Sequence, residues 1–412
     1  MPNRHRLAYA GVACTALVGV SILLWTVWRD PGPPNDQDVR GLSGQASPDS
    51  TIAFERLLHT LAEADAGPSR SEFMAFGVAH HTLPIEPKTP DDPATACAVV
   101  GHCVDVYKAV SELLLCDSLP DTSETSPEES QRNLFALASC HRVMVYRVHC
   151  ASAHGDIDLA VDSCLDLIDF GCLWFRDGEE YGAVLVRYGV RLLLTVMRNR
   201  NKIATLLARA KERVGQHDYS QIFAAALSTK YSHNAKNLEA SKIYSEQLAY
   251  RQNRTHRQVV ALHRLALAAA RGDSDSEAEL AAQIEKAREE GSSSAELLEW
   301  FSGNRSGWQV RREWLQSISD LQRDASAMFL ALRAAETHLA WQLYRCKYDA
   351  APPGLSSLVP EFLDKVPLDP FSGSPLRLGR DPTAVSSAEP IPLRREATEE
   401  SPVAYIEYEI FD

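Results

Sequence analysis

The stretch LQRDASAMFLALRAAETHL, residues 321–339, decides the fold. Leu321, Ala325, Met328, Leu332, Ala335 and Leu339 recur at alternating spacings of four and three, which puts them on one side of an α-helix. Such a stripe is the core-facing side of a packed helix, and it predicts one long helix over 308–349. Toward the amino terminus the same periodicity returns near 130–152, 156–175, 179–199, 202–214, 217–230, 235–251, 254–271, 275–290 and 293–302. Gly155-Asp156, Asp177-Gly178, Gly215, Gly272-Asp273 and Gly291-Ser292 punctuate these segments. Further helices are expected at 51–66 and 97–116, with a proline-rich loop at 82–95 and an acidic loop at 117–130. No fixed repeat period emerges, so the expectation is an irregular antiparallel helical array.

Beyond the long helix the grammar changes. Residues 351–382 contain seven prolines, which end it. In Val403–Phe411, Ala404, Ile406, Tyr408 and Ile410 alternate with Tyr405, Glu407 and Glu409, the pattern of a half-buried strand. The expected fold class is therefore mainly α. It comprises an N-terminal transmembrane helix, the helical array, and a small C-terminal α+β module of long helix plus short antiparallel sheet. The expected boundaries are 1–29 for the anchor, 30–50 for a linker, 51–307 for the helical domain and 308–412 for the module.

The anchor rests on Leu7 to Trp28, 22 uncharged and mostly apolar residues between Arg6 and Arg29. A helix of that length spans the roughly 30 Å hydrocarbon core of a bilayer. Trp25 and Trp28 fall at its outer end, where aromatic rings favour the interface. A cleaved signal peptide would have a shorter apolar core and a small-residue cleavage site, neither of which is present. A lipid attachment at Cys14 would leave a long apolar run without purpose. Arg4, His5 and Arg6 precede the span, so the positive-inside bias puts the N-terminus in the cytoplasm and the bulk of the chain outside. The expected location is the bacterial inner membrane, single-pass. Residues 30–50, rich in Pro, Gly, Ser and Asp, read as the linker.

The 412 residues are 45% hydrophobic and 24% charged, with a net charge of −13. These values exclude a wholly disordered chain and a polytopic membrane protein. The acidic balance excludes a general nucleic-acid binder, because phosphate binding needs excess Lys and Arg. Apart from Cys14 there are eight cysteines: Cys97, Cys103, Cys116, Cys140, Cys150, Cys164, Cys172 and Cys346. Seven crowd into 97–172, and all eight are disulfide candidates if the compartment is oxidising. Histidines adjoin several of them, as in His102-Cys103, Cys140-His141 and His149-Cys150. Cys150 and His154 would share a helix face, a spacing compatible with metal binding. Without a Cys-x-x-Cys pair, disulfides or buried thiols are the simpler reading, and no metal ligand is assigned.

Tyr344-Arg345, Pro352, Leu355, Leu358-Val359-Pro360, Leu363, Val366-Pro367, Asp369-Pro370-Phe371-Ser372-Gly373 and Pro375-Leu376-Arg377 form a connected series. It resembles the segment after the long helix in the major pseudopilin of bacterial type II secretion. It is similar also to uncharacterised bacterial envelope proteins with an N-terminal span, an irregular helical region and this C-terminal module. The resemblance covers roughly 320–380 and implies the fold of that module, with its leucines and Phe371 docked on the helix. The chain departs from pseudopilins elsewhere: its apolar span has no Glu, and residues 379–402 lack the spacing of a calcium loop.

No Gly-x-Ser-x-Gly elbow, His-Glu-x-x-His pair, phosphate-binding loop or dinucleotide fingerprint occurs. No catalytic or cofactor-binding residue is assigned, and no cofactor is expected. His80-His81 read as an exposed loop pair, and Arg311-Arg312 with Trp308 and Trp314 as packing at the start of the last helix. These features point away from an enzyme and toward an anchored protein that binds or scaffolds another protein. The alternatives are an extracytoplasmic Cys/His metal or redox protein, and an accessory component of a secretion or pilus-like apparatus.

Overall fold

The structure, a computed structural model, describes residues 34–40, 48–66, 93–116, 119, 127–197, 203–240, 252–289, 305–378, 384–386 and 407–409. The expected span Leu7–Trp28, the pair His80-His81 and the helix expected at 293–302 lie outside these residues. Among the described residues no helix is long and apolar enough to cross a membrane.

The protein is mainly α. Its helices are α1 Gln37–Arg40, α2 Pro48–Ala66, α3 Pro93–His102, α4 Val104–Leu113, α5 Pro127–Ala153 and α6 Ile157–Arg176. There follow α7 Tyr181–Met197, α8 Ala204–Gly215, α9 Tyr219–Ala240, α10 Gln252–Ala270, α11 Ser274–Glu289 and α12 Arg305–Tyr348. The segment expected as one helix over 97–116 is two, broken at Cys103, whose φ of −108° and ψ of 22° leave the helical region. The helices expected at 217–230 and 235–251 begin as one, α9, because Lys230-Tyr231-Ser232-His233-Asn234 contains no Gly or Pro to stop it.

The chain divides into two compact units, Met1–Leu42 with Tyr231–Ser319, and Ser43–Lys230 with Asp320–Asp412. This grouping interleaves in sequence. The cause is the length of α9 and α12, each of which contributes residues to both units.

In the first unit, Tyr231 of α9 is fully buried, and its hydroxyl donates to Asp36 Oδ2 at 2.6 Å. The same hydroxyl lies 2.9 Å from His256 Nε2. Arg264 of α10 grips Asp38 through Nε at 2.7 Å and Nη2 at 2.8 Å. Trp314 is buried edge-on against Tyr231 and His263 and packs in the core. Arg311 donates to Gln283 Oε1 at 3.3 Å. Burial holds the His263 imidazole neutral, its pKa pushed down to about 3.

The second unit is built on the hairpin of α6 and α7. Asp156 accepts the Leu159 N–H at 3.1 Å and so caps α6. The two backbones nearly touch: a Cβ placed on Gly182 would sit 2.4 Å from Phe175 N and 2.5 Å from Gly171 O. Only glycine fits there. In α12 the six stripe residues are all buried, as expected. Phe329, Leu330, Ala331 and Ala334 are buried too, so the covered face is wider than the stripe.

After α12 the chain folds back on it. Leu355, Leu358, Leu363 and Leu376 pack against Leu330, Ala334 and Trp341, with Tyr344, Phe362 and Phe371 alongside. Asp369 closes the turn by accepting the Phe371 N–H and the Ser372 hydroxyl, each at 2.9 Å. This docked loop supplies the packing. Strand fragments β1 Arg377–Leu378, β2 Ala384–Ser386 and β3 Glu407–Glu409 pair antiparallel in the order β1-β2-β3. At two or three residues each they are too short to build a sheet with a core of its own, so the expected sheet-based module is not supported.

Candidate functional site

Two cysteine–histidine groupings lie in the second unit. The first is made by α3 and the C-terminal end of α5. Gly155, at φ 75°, allows the chain to turn out of the helix. The Gly155 N–H then donates to Ser152 O at 3.1 Å and the Asp156 N–H to Ala151 O at 2.9 Å. That pair of bonds is a Schellman cap, and it fixes His154 as the C-cap residue just beyond the end of α5. From there the imidazole folds back over Cys150, with Nδ1–H donating to the Cys150 carbonyl at 2.9 Å.

Cys150 is joined by a disulfide to Cys97 of α3, with a Cα–Cα distance of 4.9 Å. His154 Nδ1 lies 3.6 Å from the sulfur of Cys97 and 3.6 Å from that of Cys150. Both cysteines are partly exposed and His154 is exposed. An imidazole at equal distance from both sulfurs and open to solvent is placed to share a ligand with them once the disulfide is reduced.

The second grouping is a ladder of charge. Asp158, Asp162, Asp166 and Asp169 share one face of α6, and Arg209, Arg213 and His217 follow at intervals of four on and after α8. At the exposed end, Arg209 pairs with Asp158 at 3.2 Å and Asp162 at 3.0 Å. Further in, Arg213 donates through Nη2 to Asp166 Oδ1 and through Nε to Asp169 Oδ2, both at 2.7 Å. The Tyr107 hydroxyl donates to Asp166, and Arg147 covers the Tyr107 ring at 3.3 Å.

At the sealed end, His217 Nε2 lies 3.0 Å from Asp169 Oδ1, a charge contact without hydrogen-bond alignment. Burial opposes a charge on this ring, but Cys172 and Asp169 beside it outweigh that and raise its pKa to about 10. The imidazole is therefore a cation at neutral pH. Cys172 itself is 2% exposed, beside His217. Cysteine, histidine and aspartate stand together here as they do in a nucleophilic site, but nothing from solvent reaches the sulfur.

Of the eight disulfide candidates, Cys97 and Cys150 are joined. Cys103, Cys140 and Cys164 are buried thiols whose pKa values burial drives upward, which makes them inert. Cys116 and Cys346 are partly exposed thiols. The ladder went unread in the sequence, although its signal was present as acids four and three apart on one helix and bases four apart on another. No known protein family, curated protein or solved structure matches the chain.

Proposed function

We propose that the chain is a single-pass, membrane-anchored protein of the bacterial envelope whose helical body lies outside the cytoplasm and binds or scaffolds another protein. The observation that carries this reading is the Cys97–Cys150 disulfide. Disulfides persist in oxidising compartments, and the orientation inferred for the Leu7–Trp28 span puts Cys97 and Cys150 in one.

The test is carried out in intact cells. Peptides containing Cys97 and Cys150 should be recovered joined without reductant, and the protein should stay with membranes under alkaline wash. Added protease should digest it in spheroplasts, and crosslinking in the membrane should give one discrete adduct. A fully reduced pair, or protection from protease in spheroplasts, would overturn the reading.

A further inference from the structure

We infer that Cys97, Cys150 and His154 are a zinc site which their disulfide keeps closed, and which reduction opens. The two sulfurs and the His154 ring nitrogen all lie within 4.8 Å of one another. Each sulfur is 3.6 Å from the same nitrogen. A disulfide that only staples two helices needs no imidazole placed evenly between its sulfurs. Two thiolates and one imidazole are instead the protein ligands of a Cys2His zinc centre with one position left for water. Soft sulfur donors select zinc over magnesium or calcium, which prefer oxygen.

The scaffold suits the role. Cys97 sits on α3, Cys150 on α5, and His154 is fixed by the Schellman cap that ends α5. The bond that Nδ1 makes now is to a backbone carbonyl, and moving the ring proton to Nε2 frees Nδ1 for a metal. The sulfurs need only rotate about their own side chains to stand about 2.3 Å from a shared ion.

The chemistry balances with an external dithiol as reductant. The dithiol gives up two electrons and two protons and closes its own S–S bond. The Cys97–Cys150 bond breaks, leaving two thiols. Zinc then displaces both thiol protons and binds two thiolates and the neutral imidazole. The inference stands on these three side chains and does not depend on the anchor or the partner.

The test uses the purified full chain, oxidised or reduced with a phosphine, and titrated anaerobically with Zn2+ against a chromophoric chelator. The reduced chain should bind one more zinc than the oxidised chain. That zinc should be absent from the double variant Cys97→Ser/Cys150→Ser. His154→Ala removes a direct ligand from an exposed position, so it should keep the fold and weaken this zinc by more than the about tenfold typical of outer-sphere changes. Co2+ in place of zinc should give thiolate-to-cobalt absorption, lost in the double variant. No additional zinc on reduction, or an additional zinc indifferent to either variant, would overturn the site.

Discussion

The two cysteine–histidine groupings of the second unit have the same kinds of side chain and opposite circumstances. At Cys97, Cys150 and His154 the sulfurs are joined, partly exposed and shared by an accessible ring. At Cys172, His217 and Asp169 the sulfur is sealed, and the ring is a buried cation tied to an acid. Residue type therefore does not decide which grouping can do chemistry; access and charge do. Cys172 is buried at one site, while at the other His154 stands exposed next to the turn at Gly155.

The largest effect should come from cutting the exposed grouping's covalent link. Cys97→Ser/Cys150→Ser frees a loop of 53 residues, which on chain-entropy grounds costs about 4 kcal/mol. Urea unfolding of the variant beside the oxidised chain measures it. Zinc should restore part of the lost midpoint to the reduced wild-type chain and none to the variant. Next comes the sealed grouping: Arg213→Ala leaves Asp166 and Asp169, both mostly buried, without their shared cation, at about 3 kcal/mol. Arg209→Ala, at the exposed end of the same ladder, should cost far less. Equal losses would mean that burial does not grade the ladder.

Opening the seal is a more direct way to break the contrast. Gly182→Ala forces α6 and α7 apart and should cost about 2 kcal/mol. It should also make Cys172 react with a maleimide that leaves the native thiol untouched. If Cys172 stays silent in a destabilised variant, something other than this contact seals it. The charge on His217 gives a smaller, pH-dependent signature. Its folded pKa, about 10, lies above the ordinary value of 6.5. The stability it contributes is complete below pH 6.5 and disappears as pH rises through 10. His217→Gln should therefore be less stable than wild type by about 1.5 kcal/mol at pH 6, with the gap closing toward pH 10. A gap that does not depend on pH would show the ring to be neutral.

The fold was legible where one periodicity spoke for itself. The stripe from Leu321 to Leu339 predicted α12, and the Asp369-Pro370 turn with its leucines predicted the docked loop. The break at Cys103 was missed, although Gly101, a poor helix former, stands two residues before it. The reach of α9 past Lys230 was missed too, although residues 230–234 hold no Gly or Pro to stop a helix. The candidate sites divide the same way. The spacing of Cys150 and His154 is local and could be read; Cys97 joins them only because α3 packs on α5. The ladder needed two helices to be laid side by side, and Asp166 and Arg213 are 47 residues apart. Pairing at that distance is a property of the fold.

His154→Ala should give the smallest change in stability and the cleanest separation of a ligand from a packing residue. The ring is exposed, its one regular bond is to the Cys150 carbonyl, and α5 is already capped by the Gly155 turn. Such a surface substitution should shift the unfolding free energy by under about 0.5 kcal/mol. In the oxidised chain the variant and wild type should have superimposable unfolding curves. In the reduced chain with zinc they should separate, because the ion stabilises the folded state only as far as it binds there. A residue that only packs behaves alike in both conditions, and a ligand does not. If the curves separate already in the oxidised chain and reduction adds nothing, His154 is a structural cap, and the two groupings differ in exposure but not in kind.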